Sequence, residues 1–146
     1  MTRALCLDTS VLIQYLVPEE FQAQAEALVL EAVEAAVQLI APAFAWAEIG
    51  SVLRKKTRAG LISTEQAKGC FDDFCQLPID YINTDKIRTR AWQIAEQYQM
   101  STLYDAAFLA CAESVGANCQ FWTADKTLLN QLGPDRPNYV RELGRL

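Results

Sequence analysis

Short apolar runs along the chain alternate with longer segments in which apolar residues recur at helical spacing. The short runs predict buried β-strands, and the longer segments predict amphipathic helices between them. The predicted strands are residues 4–7, 37–41, 79–82 and 119–123, with 139–140 as a candidate for a short fifth strand. Strands that alternate with helices in this way are typical of an α/β fold with a parallel sheet.

Capping and helix-breaking residues set the boundaries of the predicted helices. Pro42 suits the first turn of a helix, Gly60 suits a helix stop, and Ser63 and Gln66 have the spacing of a capping box. The predicted helices are residues 11–16, 19–36, 42–59, 63–75, 84–98, 102 or 104 to 115, and 126–132.

These elements predict a three-layer α/β/α sandwich with a central parallel sheet of four to five strands. A chain of 146 residues with 51% hydrophobic residues is sufficient for one core, so residues 1–146 are expected to form a single domain. No apolar run reaches the roughly 18 residues of a membrane span, and the N-terminus lacks a signal-peptide pattern. We therefore expect a cytoplasmic protein that makes no membrane contact.

The chain contains five cysteines and no histidine. The cysteines form no Cys-x-x-Cys pair and lie beside apolar residues, so they are interpreted as buried side chains in a reducing compartment. The absence of histidine removes the most common acid/base catalyst and the most common activator of a nucleophile.

The net charge of −5 argues mildly against a nucleic-acid partner. A metal bound to four of the acids would neutralise those charges and leave the remainder close to balanced. Basic residues cluster at 54–58 and 86–90, but such runs are more often solvated helix faces than phosphate-binding tracks.

Four acids, Asp8, Glu48, Asp105 and Asp125, each lie in an otherwise apolar or small-residue stretch. Carboxylates among core residues repel one another and resist desolvation, so they must be protonated, paired or bound to a cation. Asp8 and Asp125 each follow a predicted strand, and ligands collect at the carboxyl ends of parallel strands. Without histidine, the favoured interpretation is a hard divalent metal such as Mg²⁺ held by oxygen ligands.

Two of these acids also have purely structural explanations. Asp105 shares its predicted helix face with Phe108 and Leu109, and the alternative to a functional role is an N-terminal helix acid stabilised by the helix dipole. Glu48 lies at the edge of the apolar stripe of its helix, where it can form an ordinary ion pair with Lys55. Glu48 alone does not support a functional conclusion.

Four segments around these acids resemble, in order and spacing, the four motif regions of PIN-domain ribonucleases. The segments are LDTSVL at 7–12, FAWAEI at 44–49, YDAAFLA at 104–110 and WTADK at 122–126. The compact single-domain form is similar to the VapC toxins of bacterial toxin–antitoxin pairs. The acidic quartet shows no departure from the family pattern.

The resemblance implies a five-stranded parallel sheet between helices, with Asp8, Glu48, Asp105 and Asp125 converging at one edge as catalytic residues. It also implies Mg²⁺ or Mn²⁺ as cofactor and hydrolysis of RNA phosphodiester bonds. VapC-like proteins are typically homodimers neutralised by a cognate antitoxin. The expected partners are therefore RNA, an antitoxin protein and a second copy of the chain.

In the expected site, Asp8, Asp105 and Asp125 ligate the metal, and Glu48 acts through a water or orients the nucleophile. The metal lowers the pKa of a bound water and polarises the scissile phosphate. Cleavage through the RNA 2′-hydroxyl with paired histidines is excluded because the chain has none. The products are therefore predicted to carry a 5′-phosphate.

Further positions have supporting roles in this expectation. The hydroxyls of Ser10 and Thr123 can hold waters or phosphate oxygens, or they can be a helix cap and a strand-end residue. Lys55 or Arg58 is a weaker candidate for contact with the RNA backbone.

Two rival functions differ in how they use the acids. Phosphatases of the haloacid dehalogenase type need a second acid two residues after the first, and the chain has Ser10 there, which argues against that class. The other rival is a catalytically silent PIN-like module that acts by binding RNA or a protein partner. Replacing Asp8 by Asn discriminates between this module and a nuclease.

Overall fold

The computed structural model of the chain describes residues 3–144. The strands are β1 (Ala4–Leu7), β2 (Gln38–Pro42), β3 (Ile79–Ile82), β4 (Cys119–Thr123) and β5 (Val140–Glu142). The helices are α1 (Thr9–Leu16), α2 (Ala23–Glu34), α3 (Ala45–Arg58), α4 (Thr64–Cys75), α5 (Asp85–Gln97), α6 (Tyr104–Val115) and α7 (Lys126–Leu132). A single 3-10 turn, Pro18–Glu20, lies between α1 and α2.

The five strands form one wholly parallel sheet in the order β3-β2-β1-β4-β5, with helices on both faces. This confirms the predicted α/β sandwich with a parallel central sheet. None of the helices within residues 3–144 is long and apolar enough to cross a membrane.

The sheet divides the core into two layers. All of β1 is buried, and its residues alternate between the layers: Ala4 and Cys6 pack towards α5 and α6, whereas Leu5 and Leu7 pack towards α1 to α4. Residues 106–112 of α6 are buried without interruption. Asp105 is therefore adjacent to the most deeply buried helix segment, as its apolar helix face predicted.

The topology places several loops at the same end of the sheet. β1 lies between β2 and β4, and Leu7 at the end of β1 is in register with Trp122 near the end of β4. The loops that lead into α1, α3 and α7 therefore meet at the carboxyl edge. Because α6 leads into the start of β4, it runs opposite to the strands, and its first turn lies at this edge too.

The largest differences from the predicted boundaries are at the starts of two helices. The helix expected over 19–36 is shorter, because Phe21 and Gln22 are extended and α2 begins only at Ala23. Pro42 ends β2 instead of opening α3, which begins at Ala45. Pro42 lacks an N–H group; it is the last residue of β2, where it is in register with Ile82 of β3 but lies beyond the register with β1, which stops at Ile40.

Smaller predictions had mixed outcomes. The capping box of Ser63 and Gln66 is present with both of its hydrogen bonds. Helix α1 begins at Thr9, two residues earlier than predicted. Four of the five cysteines are buried, but Cys75, the last residue of α4, is exposed.

Candidate active site

Asp8 and Asp125 are fixed at the carboxyl ends of two adjacent strands. Asp8 directly follows β1, and its N–H donates to the carbonyl of Trp122 at 3.0 Å. Asp125 caps α7, where its Oδ1 accepts the N–H groups of Thr127 at 2.9 Å and Leu128 at 3.3 Å. Both acids therefore have positions that the backbone determines.

A pair of hydroxyl groups satisfies one oxygen of Asp8, a side chain that is only 4% exposed. Thr123 Oγ1 donates to Asp8 Oδ2 at 2.6 Å, and Ser10 Oγ donates to the same oxygen at 3.2 Å. The Ser10 hydroxyl accepts the N–H of Ala124 at 2.9 Å, and the Thr123 hydroxyl accepts the N–H of Asp125 at 3.0 Å. This network joins the loop after β1 to the loop after β4 and orients Asp8.

Glu48 lies in the first turn of α3 and contacts the start of α1. Its Oε1 accepts a hydrogen bond from the hydroxyl of Thr9, which is 8% exposed. Thr9 was not among the predicted site residues. The available signal was its position between Asp8 and Ser10, but the fold that brings α3 to this point is not visible in a local motif.

The charges of the four carboxylates affect one another. The pKa of Asp8 is raised from 3.8 to about 7, mainly by burial and also by the charges of Asp105 and Glu48, while its hydroxyl partners lower it. The pKa of Asp105 is raised to about 6 by burial, then by the charges of Asp125 and Glu48. Within residues 3–144, none of the four forms an ion pair with Lys or Arg. The four acids thus form one electrostatic cluster without a counter-charge, here called the acidic cluster.

A comparison with protein families identifies the family to which the chain belongs. Residues 5–131 match the model of the PIN domain, and the matched segment includes all of the acidic cluster. The chain belongs to the PIN domain family. PIN domains are generally nucleases, so the acidic cluster lies in a nuclease fold. A search of curated proteins found no match.

PIN-domain nucleases generally use divalent metals, and the donor atoms of this PIN domain suit such an ion. Carboxylate and hydroxyl oxygens are the ligands that Mg²⁺ and Mn²⁺ prefer. Within residues 3–144, however, no three acidic or cysteine side chains are grouped closely enough to hold one ion together. Mg²⁺ usually binds one or two carboxylates directly and keeps several waters, so the chemistry fits without a closed set of protein ligands.

Basic residues lie on two sides of the acidic cluster. Lys55 and Arg58 are exposed on α3, roughly 10 and 15 Å along the helix axis from Glu48. Lys126, directly after Asp125, lines a cleft of about 410 Å³ together with Arg136. Sequence reasoning missed Lys126 and Arg136. Lys126 could have been found because it directly follows Asp125 in the sequence. Arg136 could not, because only the tertiary structure brings it to the cleft.

Proposed function

We propose that this PIN domain is a Mg²⁺- or Mn²⁺-dependent endoribonuclease whose catalytic residues are Asp8, Glu48, Asp105 and Asp125. The observation that carries the proposal is the convergence of four carboxylates at the carboxyl edge of one sheet, with no basic partner among the described residues. Such a cluster opposes folding unless a cation binds to it. The chain belongs to a family whose members are generally nucleases, which supports hydrolysis of a phosphodiester bond.

Each acid has a role that follows from its surroundings. Asp8, Asp105 and Asp125 are the proposed metal-binding residues, one or two of them directly and the others through bound waters. A cation held there would supply a more acidic water and charge stabilisation at the phosphate. Asp8 offers Oδ1 for this purpose, since Oδ2 already accepts both hydroxyl hydrogen bonds. Glu48, oriented by Thr9, is placed to accept a hydrogen bond from the attacking water.

Ser10 and Thr123 act as positioning residues in this proposal. Both hydroxyls donate to Asp8, so their hydrogens are engaged by the carboxylate and are not directed at a substrate. Lys126 and Arg136 line the cleft beside Asp125 and supply positive charge for phosphates next to the scissile bond.

We further propose that the chain is the toxin of a toxin–antitoxin pair and forms a homodimer. An apolar cleft of about 570 Å³ between α3 and α4 supports an antitoxin-binding role, because it is lined by the exposed Trp46 and by the partly buried Gly50 and Phe71. A Cβ atom at position 50 would lie 3.1 Å from the Phe71 ring, so glycine permits the packing that shapes this cleft. Arg54 and Lys68 line the same cleft, which suits an antitoxin segment that combines apolar and acidic side chains.

The decisive experiment compares the wild-type chain with Asp8→Asn on a circular single-stranded RNA and on total RNA. We expect wild type to open the circle and to yield 5′-phosphate ends when Mg²⁺ or Mn²⁺ is present, and to be inactive in EDTA. Asp8→Asn should be inactive in both conditions. Cleavage that survives Asp8→Asn would remove the acidic cluster from the mechanism. RNA binding by wild type without cleavage would favour the catalytically silent module.

The toxin role has a separate test. Expression of wild type in a bacterial host should arrest growth, and Asp8→Asn should not. Co-expression of the product of the adjacent gene should restore growth, and the two proteins should co-purify. Growth arrest by an Asp8→Asn chain that no longer cleaves RNA would contradict a toxin that acts through catalysis.

A further inference from the structure

The side chain of Tyr104 lies at the rim of the acidic cluster. Tyr104 is the first residue of α6, directly before Asp105, and is 56% exposed. Its ring centroid lies 5.3 Å from that of Phe44, with the two ring planes at 76°. Phe44 is the N-cap of α3, and its carbonyl accepts the N–H of Glu48 at 3.2 Å. The Tyr104 ring therefore packs between the two helix starts that carry Asp105 and Glu48.

A row of aromatic rings supports this position from the core. The Phe44 ring also packs edge-on against Phe108 at 6.0 Å, and Phe108 lies 6.3 Å from Phe121. Phe108 and Phe121 are buried, so the row extends from the sheet to the surface and ends at Tyr104. The hydroxyl of Tyr104 makes no hydrogen bond within residues 3–144. The aromatic contacts therefore hold the Tyr104 ring in place, whereas the described residues do not hold its hydroxyl group.

We propose that the Tyr104 ring stacks on an unpaired nucleobase of the RNA next to the scissile phosphate, an inference that rests on the proposed ribonuclease function. Proteins that bind single-stranded RNA commonly stack bases on exposed aromatic rings. Because Tyr104 and Asp105 are consecutive, a base held on the ring brings its own phosphates to the acidic cluster. The substrate class is therefore single-stranded RNA, since a paired base within a duplex has no free face.

The charge of the protein favours stacking as the source of affinity. The chain carries a net charge of −5, and the acidic cluster repels phosphates until a cation is bound. Stacking does not depend on charge and tolerates any base. It therefore supplies affinity at the point where electrostatic attraction is weakest.

Exposed single aromatic residues are common on protein surfaces, so the role of Tyr104 has to be tested against an exposed aromatic residue away from the acidic cluster. Phe21 provides this matched control. Phe21 is 45% exposed and lines a separate cleft with Tyr15, Leu16 and Pro18, to which none of the acidic cluster contributes. Loss of the Phe21 ring removes a similar exposed surface at a place unconnected with the site.

The test measures the binding of labelled RNA to wild type, Tyr104→Ala, Tyr104→Leu, Tyr104→Phe and Phe21→Ala by fluorescence anisotropy in EDTA, which prevents cleavage. If Tyr104→Ala folds poorly, Tyr104→Leu replaces it, because the leucine side chain keeps an apolar contact with Phe44. For single-stranded RNA we expect Tyr104→Ala and Tyr104→Leu to lose about 5- to 150-fold in affinity, while Tyr104→Phe and Phe21→Ala stay within about twofold of wild type. An RNA carrying 2-aminopurine beside the mapped cleavage site should show quenched fluorescence with wild type, Tyr104→Phe and Phe21→Ala, but not with Tyr104→Ala or Tyr104→Leu. With Mg²⁺, the alanine and leucine variants should raise KM far more than they lower kcat.

Each contrary outcome has a distinct meaning. A wild type that neither binds nor cleaves RNA would overturn the proposed function itself. A wild type that cleaves RNA, with Tyr104→Ala and Tyr104→Leu matching its affinity and KM, would overturn only the stacking role. Tyr104→Phe as weak as Tyr104→Ala would assign the effect to the hydroxyl, contrary to stacking. A change of oligomeric state in Tyr104→Leu with unchanged RNA binding would place the ring in a protein contact and reject the proposal.

Discussion

Helix α6 carries two acids, one near each end, in opposite surroundings. Near its C-terminus, Glu113 accepts hydrogen bonds from Arg90 at 2.8 and 3.3 Å and from the Tyr139 hydroxyl at 2.8 Å. In its first turn, Asp105 faces the charge of Asp125 and has no basic partner within residues 3–144. The pKa of Asp105 is raised to about 6, whereas Glu113 stabilises the charged form of Arg90 and raises the Arg90 pKa.

The difference distinguishes an acid that stabilises the fold from an acid that we propose binds a metal. Glu113 joins α6 to α5 through Arg90, and to the segment before β5 through Tyr139, so its charge contributes to the folded state. The charge of Asp105 is opposed by burial and by its neighbours, and it is retained at a cost in stability. Perturbed carboxylates that lack a structural partner are the ones expected to serve a ligand.

The largest expected effect is on the rate of RNA cleavage, which should depend on Asp105 at one end of this helix and not on Glu113 near the other. Asp105→Asn should lower the rate of RNA cleavage by about 10³-fold, since charge stabilisation by a bound metal accounts for several kcal/mol of a hydrolytic barrier. Glu113→Gln should change the rate less than about threefold, because it removes a charge far from the acidic cluster. Single-turnover cleavage of one RNA under saturating Mg²⁺ measures both.

Equal losses in the two variants would contradict the comparison. Thermal unfolding of both proteins serves as the control for folding, so that a rate lost through misfolding is not attributed to chemistry. A partial loss in Asp105→Asn that higher Mg²⁺ restores would agree with a role in metal binding.

The second prediction concerns the free energy of unfolding. Removing the charge of Asp8 should raise it, whereas removing the charge of Glu113 should lower it. The folded-state pKa of Asp8, about 7, lies above its ordinary value of 3.8, so ionisation of Asp8 opposes folding. In EDTA, the stability of wild type should therefore fall as the pH rises from about 4 to about 7, and Asp8→Asn should lack this part of the slope. At pH 8 without metal, Asp8→Asn should be more stable than wild type by on the order of 4 kcal/mol.

Glu113→Gln should behave in the opposite way. It should be less stable than wild type by about 1 kcal/mol at neutral pH, since solvent screens this partly exposed pair. Urea unfolding in EDTA at several pH values measures both variants. A destabilised Asp8→Asn at pH 8 would show that the hydrogen bonds of Asp8 outweigh the cost of its buried charge.

Local sequence signals were sufficient for most of the fold. The strands Ala4–Leu7, Ile79–Ile82 and Cys119–Thr123 have the predicted bounds, because each is a short apolar run with a clear stop. The helix over 19–36 was overextended because its apolar spacing continues through Phe21 and Gln22. The break there depends on a tertiary contact, in which the N–H of Gln22 donates to the carbonyl of Gln14.

The acidic cluster was predictable to differing degrees. Asp8 and Asp125 follow from strand ends alone, since parallel strands share a carboxyl edge. The contact between Glu48 and Thr9 requires knowledge of how α3 packs on α1, and no local pattern encodes it. The bond from Thr123 to Asp8 likewise requires β1 and β4 to be neighbours, which depends on the crossover order of the sheet.

The smallest expected effect tests how the structure controls the ionisation of Asp8. Thr123 is fully buried, and its hydroxyl lowers the pKa of Asp8 by donating to the carboxylate. Thr123→Val should therefore raise the pKa of Asp8 and move the acid limb of the pH–rate profile upwards, by about one pH unit for a charged hydrogen bond. The rates of the two proteins should converge above about pH 9, where both carboxylates are almost fully ionised. Thr57→Val, which removes a hydroxyl that donates to the carbonyl of Leu53 within α3, should leave the profile in place. A uniform loss of rate at every pH in Thr123→Val would show that Thr123 positions Asp8 without tuning its charge.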